Sequence, residues 1–194
     1  AHYVNILKSL KRKKLKQILV FDNSKNILKK KKDKLVKFND IKHLKDYIKS
    51  INLAIVATPT HLHFKYAKYF LENGVEVLVE KPVVLKKKHA EILSKISNKK
   101  KKRCWVTFQN RYNSALTKLK KDITNNKIGK INLVDCSLFW HRNRSYYKVN
   151  WRGNYKTDGG VLANQAIHLL DALIYIFGPV KYFNSIAGFN KKKL

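Results

Sequence analysis

The chain has 194 residues, 44% hydrophobic and 11% aromatic, a composition that excludes an intrinsically disordered chain and allows one good core or two small ones. Its formal net charge of +31, from 43 Lys+Arg against 12 Asp+Glu, taken alone points to nucleic acid or an anionic membrane surface as partner. No run of about 18 uninterrupted apolar residues occurs, so no transmembrane helix is expected, and Cys104 and Cys136 lie far apart without metal-ligand spacing.

The sequence opens on a helical pattern over residues 2–14, "HYVNILKSLKRKK", with no N-cap residue before it and no methionine anywhere. It reads as an internal piece of something longer. Residues 16–22, "KQILVFD", form a short apolar run ending in an acid. A weak helix is expected over 23–35, a short extended piece over 36–40 and a helix over 41–50. Residues 51–60, "INLAIVATPT", read as a buried strand ending in Thr-Pro. A helix over 61–74 is stopped by Gly74, a strand over 75–82 is ended by Pro82, a helix covers 84–100 and a further strand covers 102–112. Continuous β-branched runs separated by helices predict a parallel sheet covered on both faces. Right-handed crossovers then give an α/β, Rossmann-type doubly wound domain over residues 1–112.

The pattern changes after residue 112. A helix over 114–129 ends near Gly129, and "KINLVDCSLFWHR" (130–142) alternates like a strand of an antiparallel sheet. An irregular aromatic stretch follows, then one helix over 160–177, and "FNSIAGFN" near the end suggests another strand. Residues 113–194 are therefore expected to begin an α+β domain with a mainly antiparallel sheet.

Only six basic residues are arginine, at 12, 103, 111, 142, 144 and 152. Arginine is the type best suited to bidentate phosphate and base recognition. The lysines cluster at the ends of expected helices, and the abundance of Asn, Ile, Tyr and Phe is a global skew that a biased genome explains. The net charge is read as solvated lysine rather than a nucleic-acid footprint, and its long-range field favours anionic small ligands.

In open parallel sheets, ligands bind outside the carboxyl ends of the strands. Here the expected strands deliver Asp22, then Thr58-Pro59-Thr60-His61, then Glu80-Lys81-Pro82, then Gln109-Asn110-Arg111. One polar strand end means little, but four at one edge make a site. Asp22 is open to two readings: an acceptor for a nucleotide ribose that disfavours a 2′-phosphate, or a turn or N-cap acid. The glycine-rich phosphate loop that would precede the first helix is absent from the chain. Asn164, His168 and Asp171, at spacings of four and three, put a polar stripe on one face of the apolar helix. By itself, a histidine there is more often a satisfied core group than a ligand.

The segment "VATPTHLHFKYAKYFLENGVEVLVEKP" resembles the core of the Gfo/Idh/MocA oxidoreductases, and "FQNRYN" and "GGVLANQAIHLLDALIYIFG" are similar to that family's later motifs. The Asn164-Gln165 pair, with "YYKVNWRGNYKTDGG", resembles one subgroup, the UDP-N-acetylglucosaminuronic acid 3-dehydrogenases of the WlbA/WbpB type. The resemblance implies an NAD cofactor, with NADP the lesser alternative. It further implies an NAD-dependent dehydrogenase acting on a secondary hydroxyl of a sugar nucleotide for surface polysaccharide synthesis, lipopolysaccharide included. It places the 160–177 helix facing the nicotinamide. Lys81 and His168 are then the catalytic pair, either of them the base. Asp22, Thr58, Pro59, His61, Glu80, Lys81, Gln109 and Arg111 are implied at the cofactor. Lys81, Arg111, Trp151, Arg152, Asn164, Gln165 and His168 are implied at the substrate.

Asp171 is expected to hold the His168 tautomer or to cap a loop. Pro82 shapes the strand exit through a cis bond. Arg142 and Arg144 are open between ligand and solvent, and Tyr146, Tyr147, Trp151 and Tyr155 between stacking and core. His63 is expected to be packing. No metal, membrane or nucleic-acid partner is expected. The expected setting is cytoplasmic and reducing, and the expected assembly is a homo-oligomer. Two rivals remain: an inositol or free-sugar dehydrogenase of the same family, and a non-catalytic basic binder of nucleic acid.

Overall fold

A computed structural model describes residues 2–9, 17–22, 36–38 and 41–186. They fall into two compact units, 1–51 and 52–194. The first holds α1 (His2–Ser9), β1 (Leu19–Phe21), β2 (Val36–Phe38) and a 3₁₀ helix, Ile41–Ser50. β1 and β2 pair in parallel, with Leu19 opposite Val36 and Phe21 opposite Phe38. The helix expected over 23–35 lies outside the described residues.

The second unit begins with β3 (Leu53–Val56), a 3₁₀ turn at Thr60–Leu62, α2 (His63–Glu72), β4 (Glu76–Val79), α3 (Lys87–Lys100) and β5 (Cys104–Val106). The three strands form a parallel sheet in the order β3-β4-β5. Parallel neighbours cannot be joined by a tight turn, so a helix must cross between them, and α2 and α3 are those crossovers. Alternation along β3 and β4 sends Ala54, Val56, Val77 and Val79 to one face, where all four are buried. That face meets Ala67 and Leu71 of α2 and Leu93 of α3 in a single apolar cluster. Fully burying a side chain such as Leu71 stabilises by roughly 1.5–3 kcal/mol. α2 ends where Gly74 takes φ 76°, a left-handed turn that glycine reaches without strain.

Downstream lie a 3₁₀ turn, Gln109–Tyr112, then α4 (Ser114–Thr124), α5 (Arg144–Tyr147), α6 (Tyr155–Asp158), α7 (Gly160–Asn164) and α8 (Ile167–Phe177). α4 starts on Asn113, whose Oδ1 accepts from the Ala115 and Leu116 N–H groups, an N-cap of the usual kind.

Three expectations need correction. The strand expected over 102–112 stops at Val106, and Gln109-Asn110-Arg111 sit on a 3₁₀ turn. Residues 130–142 hold no strand, and among the described residues none follows Val106. Alternation marks a strand only where a partner ladder satisfies its backbone, and no such partner is among the described residues. Leu133 and Phe139 accordingly stand exposed. The helix expected over 160–177 is two helices, its axis turning by 47° between Tyr155–Asn164 and Ile167–Phe177. At the break Ala166 N–H reaches back to the Val161 carbonyl at 2.8 Å, a five-residue step that adds a residue to the turn.

Candidate active site

The sheet delivers three strand exits to one edge, and side chains tie them together. His63, the first residue of α2, is 1% exposed. Its Nδ1 lies 2.8 Å from the Pro82 carbonyl and its Nε2 lies 2.9 Å from the Thr58 carbonyl. One ring thus spans the exits of β3 and β4. The Lys81–Pro82 bond is cis. Glu80 Oε2 accepts from Thr107 Oγ1 at 2.8 Å and from the Lys81 N–H at 3.2 Å, which joins the exits of β4 and β5.

Lys81 turns toward the downstream helices. Its Nζ donates to the Asn164 carbonyl at 2.6 Å and to Asn164 Oδ1 at 3.4 Å. In an unbroken helix that carbonyl would take the N–H four residues on; at the break it takes the ammonium instead. Burial lowers the Lys81 pKa below its ordinary value, Glu80 opposes the shift, and the nearby charge of Arg142 adds to it.

The far side of Asn164 is held as well. Its Nδ2 donates to Asp158 Oδ2 at 3.3 Å and to the Tyr146 hydroxyl at 3.4 Å, and Gln165 Nε2 reaches the same hydroxyl at 3.4 Å. Asp158 is 2% exposed. It also accepts from the Gly153 N–H at 2.6 Å and the Gly160 N–H at 2.8 Å. Gly159 completes the turn at φ 81°, and a Cβ there would lie 2.6 Å from both Ala163 Cβ and Leu85 Cδ2.

His168 lies in the first turn of α8. Burial lowers its pKa, the positive charge of Lys81 lowers it further, and Glu80 and Asp171 oppose both. Its Nδ1 is buried without a partner, as is Thr58 Oγ1. Asp171 does not hold the His168 tautomer. Both its oxygens are taken by Arg111, whose Nε donates to Oδ2 at 2.9 Å and Nη2 to Oδ1 at 2.6 Å. The same guanidinium lies 5.6 Å from the Phe108 ring centroid and 5.3 Å from that of Tyr175.

The structure therefore gathers Thr58, Glu80, Lys81, Asn164, Gln165 and His168, with Arg142 close enough to bias Lys81. Arg111, expected among the ligand residues, is engaged by Asp171. Pro59, Trp151 and Arg152 are half-buried, and His61 and Gln109 are exposed. Asp22 belongs to the first unit, directly after β1. Sequence reasoning missed Thr107 and Asp158 and gave His63 a packing role only. A signal existed for Asp158, an acid just before two glycines in a stretch otherwise poor in acids. Among the described residues, no group of three His, Cys, Asp or Glu is placed to hold a metal ion.

Comparison with known proteins agrees with this architecture. Residues 2–108 match the model of an oxidoreductase family with an NAD-binding Rossmann fold, and residues 120–193 match the family's C-terminal alpha/beta domain. The chain is 27% identical over 132 residues to the scyllo-inositol 2-dehydrogenase (NADP(+)) IolW of Bacillus subtilis, covering 68% of this chain and 36% of that protein. It is 32% identical over 127 residues to the glucose-6-phosphate 3-dehydrogenase of the same organism, covering 63% and 36%. Similar crystal structures include two WlbA dehydrogenases. The WlbA dehydrogenase from Chromobacterium violaceum, in complex with NADH and UDP-GlcNAcA, gives a TM-score of 0.82 at 29% identity, over 92% of this chain and 52% of that one. The WlbA dehydrogenase from Bordetella pertussis, with the same two ligands, gives 0.77 at 28%, over 84% and 47%. The chain thus spans about half the length of these structures and little more than a third of the two curated relatives. It belongs to the Gfo/Idh/MocA oxidoreductase family, its first part an NAD-binding Rossmann fold.

Proposed function

We propose that the protein is an NAD-dependent dehydrogenase that oxidises a secondary hydroxyl of a nucleotide-linked sugar, at C3 of a UDP-N-acetylglucosaminuronate-type substrate. The observation that carries this reading is the Lys81 ammonium seated on Asn164, at the helix break just ahead of His168. Lys81 donates to Asn164 at 2.6 Å, and its charge is felt at His168. Supporting it are the sugar-nucleotide ligands bound by the two similar WlbA dehydrogenases.

The residues present fit a nicotinamide cofactor. The carboxyl edge of a parallel sheet carries a buried, unpartnered Thr58 Oγ1, and a bound ligand can satisfy such an atom. Thr58, Pro59, His61, Glu80, Lys81 and Gln109 are assigned to hold it. When bound, it supplies the hydride acceptor. The protein supplies the rest. Lys81 donates a hydrogen bond to the reacting hydroxyl and stabilises the negative charge that grows there. His168, neutral near pH 7 because burial and Lys81 lower its pKa, takes the hydroxyl proton. Asn164, Gln165, Trp151 and Arg152 orient the sugar. Arg111 is assigned to fixing α8 against the 109–112 turn.

We assign the cofactor domain to residues 1–112 and the substrate and oligomerisation domain to residue 113 onward. The reaction belongs to surface-polysaccharide sugar synthesis in a reducing, cytoplasmic setting, in a homo-oligomer.

A second reading, an inositol or hexose-phosphate dehydrogenase, is favoured by the names of the two Bacillus relatives. One assay separates them: NADH formation by the complete protein with UDP-N-acetylglucosaminuronate, scyllo-inositol and glucose 6-phosphate. Turnover of the sugar nucleotide alone supports the main reading, and turnover of only the other two overturns it.

A further inference from the structure

The arginines of the second unit meet different fates. Arg103 pairs with Glu76 and Arg111 with Asp171. Arg142 and Arg152 pair with no carboxylate among the described residues. They gather instead on one aromatic ring. The Arg142 guanidinium carbon lies 4.8 Å from the Tyr146 ring centroid and that of Arg152 lies 4.5 Å from it. The two carbons are therefore no farther apart than those two distances laid end to end. Trp140 flanks the first at 3.9 Å and Trp151 the second at 5.4 Å.

Two like charges brought this close repel, and aromatic faces offset only part of that. Each guanidinium also buries an Nε–H with no acceptor, a group that folded proteins rarely leave unsatisfied. The carboxylates that share this region are committed elsewhere. Asp158 takes Gly153, Gly160 and Asn164; Glu80 takes Thr107 and the Lys81 N–H; Asp171 takes Arg111. Lys81 adds a third cation, and Arg142 lowers its pKa. Two unpaired, forked donors gathered on one ring lack one component, an oxyanion. The ring that carries both arginines connects to the proposed reacting end, because the Tyr146 hydroxyl receives Asn164 Nδ2 and Gln165 Nε2 at 3.4 Å each.

We propose that Arg142 and Arg152, held on Tyr146, form an oxyanion receptor that reads the negative charge of the substrate. This deepens the reading of the site as a sugar-nucleotide dehydrogenase and rests on it for the identity of the ligand. Two groups of such a substrate share the required chemistry, the sugar carboxylate and the diphosphate.

The test titrates the complete protein with UDP-N-acetylglucosaminuronate, with UDP-N-acetylglucosamine and with inorganic phosphate, read by the fluorescence of the flanking Trp140 and Trp151. The variants are Arg142→Gln, Arg152→Gln and the charge-conserving Arg142→Lys and Arg152→Lys, each with NAD affinity as the folding control. Weakening of tenfold or more for the uronate, with the neutral sugar unchanged, assigns the carboxylate. Equal weakening for both sugars assigns the diphosphate. Lysine is expected to restore less than half of the lost affinity, because it cannot fork. If the wild type binds neither sugar nucleotide, the functional reading falls while the phosphate arm still decides the receptor. Unchanged affinities in folded glutamine variants, for whichever of the three anions the wild type binds, overturn the proposal, as does a wild type that binds none of them.

Discussion

Lys81 and Asn164 are 83 positions apart in sequence, yet the ammonium of one donates to the backbone carbonyl of the other at 2.6 Å. The contact exists because two irregularities coincide. β4 ends at Val79 and projects Lys81 from the sheet edge, while the helix pair α7–α8 breaks just after Asn164 and leaves that carbonyl for another donor. A straight helix would have filled it with its own backbone.

Replacing Lys81 should therefore separate chemistry from binding. Lys81→Met is expected to lower kcat by about 10²–10⁴-fold, the usual range for a positioned acid–base group. NAD affinity should fall far less than kcat, because Lys81 is one of several residues assigned to the cofactor and its proposed chemistry is at the reacting hydroxyl. Steady-state kinetics beside calorimetric titration of NAD would check both. A near-normal kcat removes Lys81 from the mechanism.

The lowered pKa of His168 sets the acid limb. If neutral imidazole accepts the proton, kcat/KM should rise with pH along a limb whose midpoint lies below the ordinary histidine value near 6.5, and His168→Gln should abolish that limb. Stability should follow the same group. Above the unfolded value both states are neutral at this position and nothing is lost. As pH falls below it, the unfolded chain takes up the proton first, so folding free energy declines until the folded imidazole is protonated too. Urea titrations at several pH values should show that slope in the wild type and a flatter one in His168→Gln.

Asp158 predicts a large stability effect away from the reacting groups. Asp158→Ala leaves the Gly153 and Gly160 N–H groups without their acceptor. Hydrogen bonds to a charged acceptor are worth about 1.5–3 kcal/mol, and because Gly153 is exposed and water can replace its partner, a loss of roughly 2 kcal/mol is expected by denaturant titration. A loss under about 1 kcal/mol would mean that the turn is held by something else.

Arg111 and Asp171 should behave as a coupled pair that tethers α8. The hydrogen bond to Asp171 is the main cause raising the Arg111 pKa, but the arginine side chain is 43% exposed while Asp171 is 8% exposed. Solvent screening keeps the coupling near about 1 kcal/mol in a double-mutant cycle of Arg111→Met and Asp171→Asn. Asp171→Asn should also leave the acid limb of His168 nearly in place, because the carboxylate is a minor influence there. A large displacement of the limb would restore Asp171 as the partner of the imidazole.

Much of this molecule is decided locally. The runs at 19–21, 53–56, 76–79 and 104–106 are too short and too β-branched for helices, and helical stretches separate the last three, so parallel pairing followed from pattern alone. The strand exits carrying Thr58, Glu80 and Lys81 followed from where those runs stop. What the pattern could not carry was anything that depends on a partner distant in sequence. The alternation of residues 130–142 has the period of a strand without the ladder that would make it one. The apolar run of 160–177 has the period of one helix, and the break at 165–166 leaves the Asn164 carbonyl to Lys81. Arg111 took Asp171 and His63 took two carbonyls, because charge and hydrogen-bonding capacity are satisfied by whatever the chain brings within about 3 Å. Periodicity is a property of neighbours in sequence; pairing is a property of neighbours in space.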